Sequence, residues 1–329
     1  MFKVSTFKKK IFTLDKKNFE TKAMQVFGYQ AKHCDIYRQY LNLLSVDYQK
    51  IKSLKDIPFL PIELFKTHDI VCGEGKIQQT FSSSKTTGMT SSQHHILDLE
   101  LYEQSFSSIF NYFYGDISEY CVLALLPSYL ERTGSSLIFM AEKWIENSKH
   151  PNSGFYLYNY DELFAVLQHL EAKKQKTILL GVSFALCDFA EEYNLKLKHT
   201  IVMETGGMKG RRKEILRTEL HQLLKNAFGV SQIHSEYGMT ELLSQAYSQG
   251  NERFHCPPSM QVLIREVNDP FSWMKNEQTG GVNIVDLANV HSCSFLATSD
   301  LGKRFDDGSF ELLGRFDHSD TRGCNLLVE

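Results

Sequence analysis

The sequence predicts an α/β fold, in which helix-covered, largely parallel sheets are followed by a small β subdomain. Three observations carry this. From about residue 120 to 245, short apolar runs alternate with segments of helical periodicity. Several of those runs end in loops of small residues, the place where ligands bind to parallel sheets. After Pro257 and Pro258 the texture changes to short strand-like segments separated by turns. The expected organisation is an α/β core over 1–256, a small β subdomain over 257–315 and a short tail over 316–329.

The elements follow in order. Residues 16–50 carry recurring apolar side chains through Phe19, Met24, Val26, Tyr37, Tyr40, Leu41 and Leu44, and read as helical. Pro58 and Pro61 keep the next stretch extended, and Glu63 to Phe65 starts a short helix. Leu99 to Tyr114 has aromatics at Tyr102, Phe106, Phe110 and Phe113, in a helical rhythm that reads as core packing. Strands are expected over Tyr120 to Pro127, Thr177 to Gly181 and Thr200 to Glu204. Helices are expected over Leu137 to Ile145, from a cap at Asp161 through Leu170, over Phe184 to Tyr193, and from Arg212 to a stop at Gly229. In the last part, strands are expected at Met260–Val267, Gly281–Leu287, Ser294–Ser299 and Ser309–Leu313. Asp307 and Gly308 there form a hairpin turn with positive φ angles.

Composition excludes several classes. With 36 basic and 39 acidic residues among 329, the net charge of −3 gives no nucleic-acid signature. The seven cysteines contain no CxxC pair and are odd in number, which points to reduced thiols and a cytoplasmic location. The lysines near the start precede no long apolar stretch, so neither a signal peptide nor a membrane span is expected.

The chemistry concentrates in three polar stretches. Residues 80–94 are dominated by hydroxyls, with Lys85 and Gly88 among them. Short hydroxyl side chains and free backbone N–H groups suit a phosphate-gripping loop, although composition alone also fits a solvated surface loop. Residues 204–212 end a strand in two glycines, where backbone can lie against a ligand. Residues 235–241 then place Thr240 beside Glu241 just after a strand, a pair suited to holding a phosphate oxygen and a divalent metal together. One amphipathic helix separates the last two stretches, so both turns are expected at the same end of a sheet. His94 and His95 receive no role.

At Thr86-Thr-Gly, Thr205-Gly-Gly, Tyr237-Gly-Met-Thr-Glu, Thr298-Ser-Asp and Gly314-Arg the chain resembles the adenylate-forming superfamily, with the motifs in that family's order. It looks closest to the acyl-protein synthetase branch, the LuxE-like, fatty-acid-activating component of bacterial luminescence. The resemblance covers about 58–329. It implies the N-terminal-domain fold of adenylate-forming enzymes, with the C-terminal domain almost absent.

It also implies roles. Ser82, Ser83, Ser84, Thr86, Thr87 and Gly88 would grip the phosphates of ATP. Thr205, Gly206 and Gly207 would flank the adenine, with Tyr237 stacking on it and Gly238 beside it. Thr240 would meet the α-phosphate and Glu241 a magnesium ion. Asp300 would take the ribose hydroxyls, backed by Arg315. Cys324 matches the cysteine that accepts the acyl group as a thioester before a reductase or carrier protein receives it. A thiolate is a good nucleophile at a mixed anhydride. Read without the resemblance, Cys324 is a small apolar residue of a terminal strand, and the other six cysteines are assigned that kind of role.

Two departures stand out. Lys85 occupies a position where the family usually has glycine, which leaves open whether it hinders or grips the phosphates. Only fourteen residues follow Arg315, so the catalytic lysine of a full adenylating enzyme is not expected. Two other readings remain. Gly181 to Ala185 loosely resembles a nucleophile elbow, which would make Ser183 the nucleophile of an acyl hydrolase. A degenerate homologue that only binds an acyl group or a partner protein is the other.

Overall fold

A computed structural model describes residues 2–83, 90–127, 134–206 and 215–315. The chain opens with helices α1 (Val4–Lys8), α2 (Lys16–His33) and α3 (Asp35–Leu43). Asp15 starts α2 by accepting the Lys17 N–H. The helical stretch expected over 16–50 is therefore broken. Cys34 is extended between α2 and α3, and Ser45 takes a positive φ of 56°.

Strand β1 (Leu60–Pro61) and a 3-10 turn over Ile62–Lys66 follow. Next come the hairpin strands β2 (Gln79–Ser82) and β3 (Gln93–Ile96), and helix α4 (Leu99–Tyr114), capped by Asp98. The alternating core comprises β4 (Cys121–Leu125), α5 (Ser136–Ser148), β5 (Gly154–Tyr156), α6 (Tyr160–Ala172) and β6 (Thr177–Val182), then α7 (Ser183–Glu192), β7 (Thr200–Thr205), α8 (Arg217–Phe228), β8 (His234–Tyr237) and β9 (Ala246–Ser248). Strands β10 (Met260–Arg265), β11 (Gly280–Asp286), β12 (Phe295–Arg304) and β13 (Phe310–Arg315) complete the described chain.

The first sheet runs β5-β4-β6-β7-β8-β9, parallel throughout except for β9. β4 and β6 are unbroken runs of small or apolar residues because helices bury both their faces. Phe106, Phe110, Trp144, Phe184, Phe189 and Phe228 fill the surrounding core.

Three local expectations need correction. Asp161 does not cap α6. It lies inside the first turn, where its charge still suits the helix dipole, and Asn159 holds the cap position. Helix α8 begins at Arg217 rather than Arg212, and Ile215 and Leu216 precede it on the surface. At the 305–309 turn only Gly308 takes a positive φ. Asp307 instead accepts the Ser309 N–H at 2.8 Å, which locks the turn without a left-handed aspartate.

The second sheet runs β1-β12-β11-β10, with β13 also on β12. It is antiparallel except where β1 joins β12. The change of texture at Pro257 thus marks the passage from one sheet to the other. The second core, however, also takes in the start of the chain. Phe27, Tyr37 and Phe59 cluster on Phe295 with ring centroids 5.9 to 6.4 Å apart. Buried Gln30 joins the two parts, donating to the Asn289 carbonyl and accepting the Ser294 N–H, each at 2.9 Å.

Candidate functional site

Strands β7 and β8 are parallel neighbours, with Thr205 opposite Glu236, and α8 connects them. The turns after Thr205 and after Tyr237 therefore leave the same edge of the sheet, as expected. Gly206 is exposed there with a φ of 70°, a conformation that only glycine adopts without strain.

Side chains alternate across the sheet from these strand ends. Glu204 lies on one face, buried. Ser183 donates to it at 3.2 Å, while Arg217 Nε and His221 Nε2 approach the other oxygen to 3.4 and 3.6 Å. Burial alone would raise its pKa, but His221, Arg217 and Ser235 outweigh burial and hold it below the usual value. The hydroxyl of Ser183 is thus buried on a carboxylate rather than on a histidine, which gives the hydrolase reading no support.

Thr205 and Glu236 lie on the opposite face. Thr205 donates its hydroxyl to Glu236. Burial, with added repulsion from Glu204, raises Glu236 to about 7, against the pull of the Thr205 bond. The Thr205 hydroxyl is thereby committed to Glu236, away from Tyr237.

Tyr237 returns to the first face and bridges the sheets. Its hydroxyl donates to Asp300 Oδ2 at 2.7 Å, and its ring meets Phe254 and Phe310 edge-on. Asp300 faces Arg315 across the β12–β13 ladder, with Nε 3.4 Å from Oδ1. Burial raises Asp300, while Tyr237, Arg315 and Arg217 pull it down without cancelling the effect.

The turn after β8 carries Thr240 and Glu241. The Glu241 carboxyl is buried, and burial raises its pKa against the opposing effects of the Ser92 hydroxyl and the charges of Arg315 and Lys66. The backbone of the turn is held at several points. His94 Nδ1 lies 2.8 Å from the Thr240 carbonyl oxygen, and Asn289 donates to the Glu241 carbonyl at 2.7 Å. Asp286 accepts the N–H groups of Leu243 and Ser244 at 2.9 and 2.8 Å.

The β2–β3 hairpin abuts this turn. Ser82 is bound through its N–H to the Gly134 carbonyl at 2.8 Å. Ser83 accepts the Ser92 N–H on its hydroxyl at 2.9 Å.

The structure therefore brings together Ser82, Ser83, Gly206, Tyr237, Gly238, Thr240, Glu241, Asp300 and Arg315 along one edge between the sheets. Ser84, Lys85, Thr86, Thr87, Gly88, Gly207 and Cys324 lie outside the described residues. Sequence reasoning missed His94, Asn289, Asp286 and Arg217. Of these only His94 had a local signal, its place just after the hydroxyl-rich loop. Among the described residues no cluster of three or more metal-ligating side chains occurs. A site with one protein carboxylate is compatible with magnesium, which takes its remaining oxygens from phosphates and water.

Solved structures share this fold. The chain aligns over 96% of its length with 70% of a 2-hydroxyisobutyryl-CoA ligase in complex with 2-HIB-AMP and CoA, at a TM-score of 0.69 and 15% identity. It aligns over 74% of its length with 49% of ATP-bound MatB from Rhodopseudomonas palustris, at 0.56 and 18%. The architecture is that of the adenylate-forming ligases. The family model described as acyl-protein synthetase, LuxE, matches residues 12–329, and the chain belongs to that family. A curated relative, the long-chain-fatty-acid–luciferin-component ligase of Photorhabdus luminescens, is 36% identical over 69 residues. That stretch is 21% of this chain and 59% of the relative.

Proposed function

We propose that the protein uses ATP to activate a carboxylic acid, a fatty acid by its family, as an acyl-adenylate. The acid's carboxylate oxygen bonds to the α-phosphorus, and the bond to pyrophosphate breaks. The acyl carbon then passes to the sulfur of Cys324, releasing AMP, and onward to a partner protein such as a reductase or carrier.

One observation carries the reading. The Tyr237–Asp300 pair and the Thr240–Glu241 turn share an edge with the hairpin bearing Ser82 and Ser83, although Asp300 and the hairpin come from distant parts of the chain. In this reading Tyr237 and Gly206 flank the adenine, Asp300 and Arg315 hold the ribose, and the hydroxyl loop with Thr240 holds phosphate. Two anions must approach each other in the reaction, so fixed donors and positive charge there lower the barrier. Magnesium at Glu241 would supply much of that charge when bound. Arg315 already biases both Asp300 and Glu241 towards the charged form.

Among the described residues no helix is long and apolar enough to cross a membrane. With the reduced-thiol pattern, we place the reaction in the cytoplasm.

Acid-dependent exchange of pyrophosphate into ATP tests the first step. Intact-mass analysis after incubation with ATP, magnesium and a series of fatty acids tests the second. Cys324→Ser is expected to keep the exchange and lose the acyl adduct. An adduct that persists in this variant refutes Cys324 as acceptor. Absence of both exchange and calorimetric ATP binding favours a binding protein instead.

A further inference from the structure

We propose that His94 is a positioning residue of this reaction: its Nδ1–H bond to the Thr240 carbonyl sets Thr240 and Glu241 against the hairpin that presents Ser82 and Ser83. The inference rests on the function proposed above.

His94 sits on β3, opposite Phe81 on β2. Ser92, two residues back on the same chain, engages both halves of the site. Its N–H donates to the Ser83 hydroxyl at 2.9 Å, its carbonyl accepts the Ser83 N–H at 3.1 Å, and its hydroxyl is among the groups that draw the Glu241 pKa down. One short segment thus holds Ser83 through Ser92 and the Thr240 carbonyl through His94. The hairpin therefore ties Ser83 to the acidic turn.

The chemistry of the ring is determined by its partners. A carbonyl oxygen can only accept, so Nδ1 carries the proton. Nε2, 3.0 Å from the Ser292 hydroxyl, then accepts from it. Phe65 closes the site edge-on, with ring centroids 5.4 Å apart. Burial keeps the ring neutral by lowering its pKa to about 4. A purely apolar core position would carry no such group. Here the imidazole satisfies a carbonyl in a turn, as Asn289 does for the next one along. With both carbonyls fixed by different elements, the Thr240 and Glu241 side chains keep one direction.

The test separates the two ring nitrogens. Asparagine can replace the Nδ1 donor, whereas glutamine reaches the Nε2 position. In pyrophosphate exchange, His94→Gln is expected to lower kcat on the order of tenfold and to raise the magnesium concentration for half-activity. The KM for ATP should stay within about twofold. His94→Asn should recover most of the loss. Ser292→Ala, which frees the ring without altering it, should shift kcat and magnesium dependence in the same direction by less, and it decides the matter if the His94 variants do not fold. Equal behaviour of the Gln and Asn variants, or wild-type kinetics in Ser292→Ala and His94→Gln, overturns the role. Exchange that is absent from the wild-type protein overturns the function itself and this role with it. Exchange in the wild type with unaltered His94→Gln overturns the role alone.

Discussion

The hydroxyl of Tyr237, at the end of β8, donates to Asp300 Oδ2 on β12 at 2.7 Å, joining the two sheets at the candidate site. The bond is charge-assisted and shielded, so its loss should be felt. Tyr237→Phe is expected to weaken ATP binding about five- to tenfold, the effect of one such hydrogen bond. Asp300→Ala should weaken it further. Titration calorimetry checks both, and wild-type affinity in Asp300→Ala would remove this carboxylate from the nucleotide site.

Arg315 gives a contrasting case. Its side chain is 74% exposed beside Asp300, so the pair adds little stability. Arg315→Ala should leave the melting temperature nearly unchanged while weakening ATP binding. A large fall in melting temperature would show a structural role.

Two perturbed groups near the site, Glu236 and His94, have opposite pH signatures. Glu236 has a folded pKa of about 7, above its ordinary carboxylate value of 4.5. The folded state therefore holds the proton more tightly, and this group costs stability as pH rises through that interval. His94 has a folded pKa of about 4, below its ordinary 6.5, so its contribution is present above 6.5 and is lost as pH falls towards 4. Glu236→Gln should thus gain melting temperature relative to wild type at pH 8 but not at pH 4.5. A difference that does not change with pH refutes the raised carboxyl.

Gly238 is exposed, yet a methyl group there would collide with Glu236 Oε1 and lie 3.4 Å from Gln245 Cγ. Gly238→Ala should destabilise the protein by about 1–3 kcal/mol through displacement of the buried carboxyl. Denaturant unfolding measures this, and a neutral result would mean that Glu236 moves freely.

The cysteines offer a direct check on burial. Burial pushes the thiols of Cys34 and Cys121 to about 11 and that of Cys256 to about 12, and raises Cys72 and Cys293 as well. Cys187 is also buried. An alkylating reagent at pH 8 should label these six slowly in the native protein and rapidly in denaturant. Site-by-site mass mapping reads each one, and fast native labelling of any of them contradicts its placement.

Helix α4 was legible to the residue because its aromatic rhythm lies within one segment. The start of α8 was not, because Ile215 and Leu216 continue the apolar pattern although they precede the helix. Gly206, Tyr237 and Glu241 could be picked out because each stands in a short local motif at a strand end. Asn289 and Asp286 could not, because they act on backbone atoms more than forty residues away, and His94, though marked by its place beside the hydroxyl-rich stretch, has its partner 146 residues away.

The amino-acid order by itself determined the alternation of strands and helices and the family, since periodicity and short motifs are properties of neighbouring residues. Only the tertiary structure decided that the first seventy residues share a core with the second sheet, that Thr205 turns to Glu236, and that His94 supports Thr240. Those choices depend on which distant surfaces bury each other and which buried polar groups must find partners.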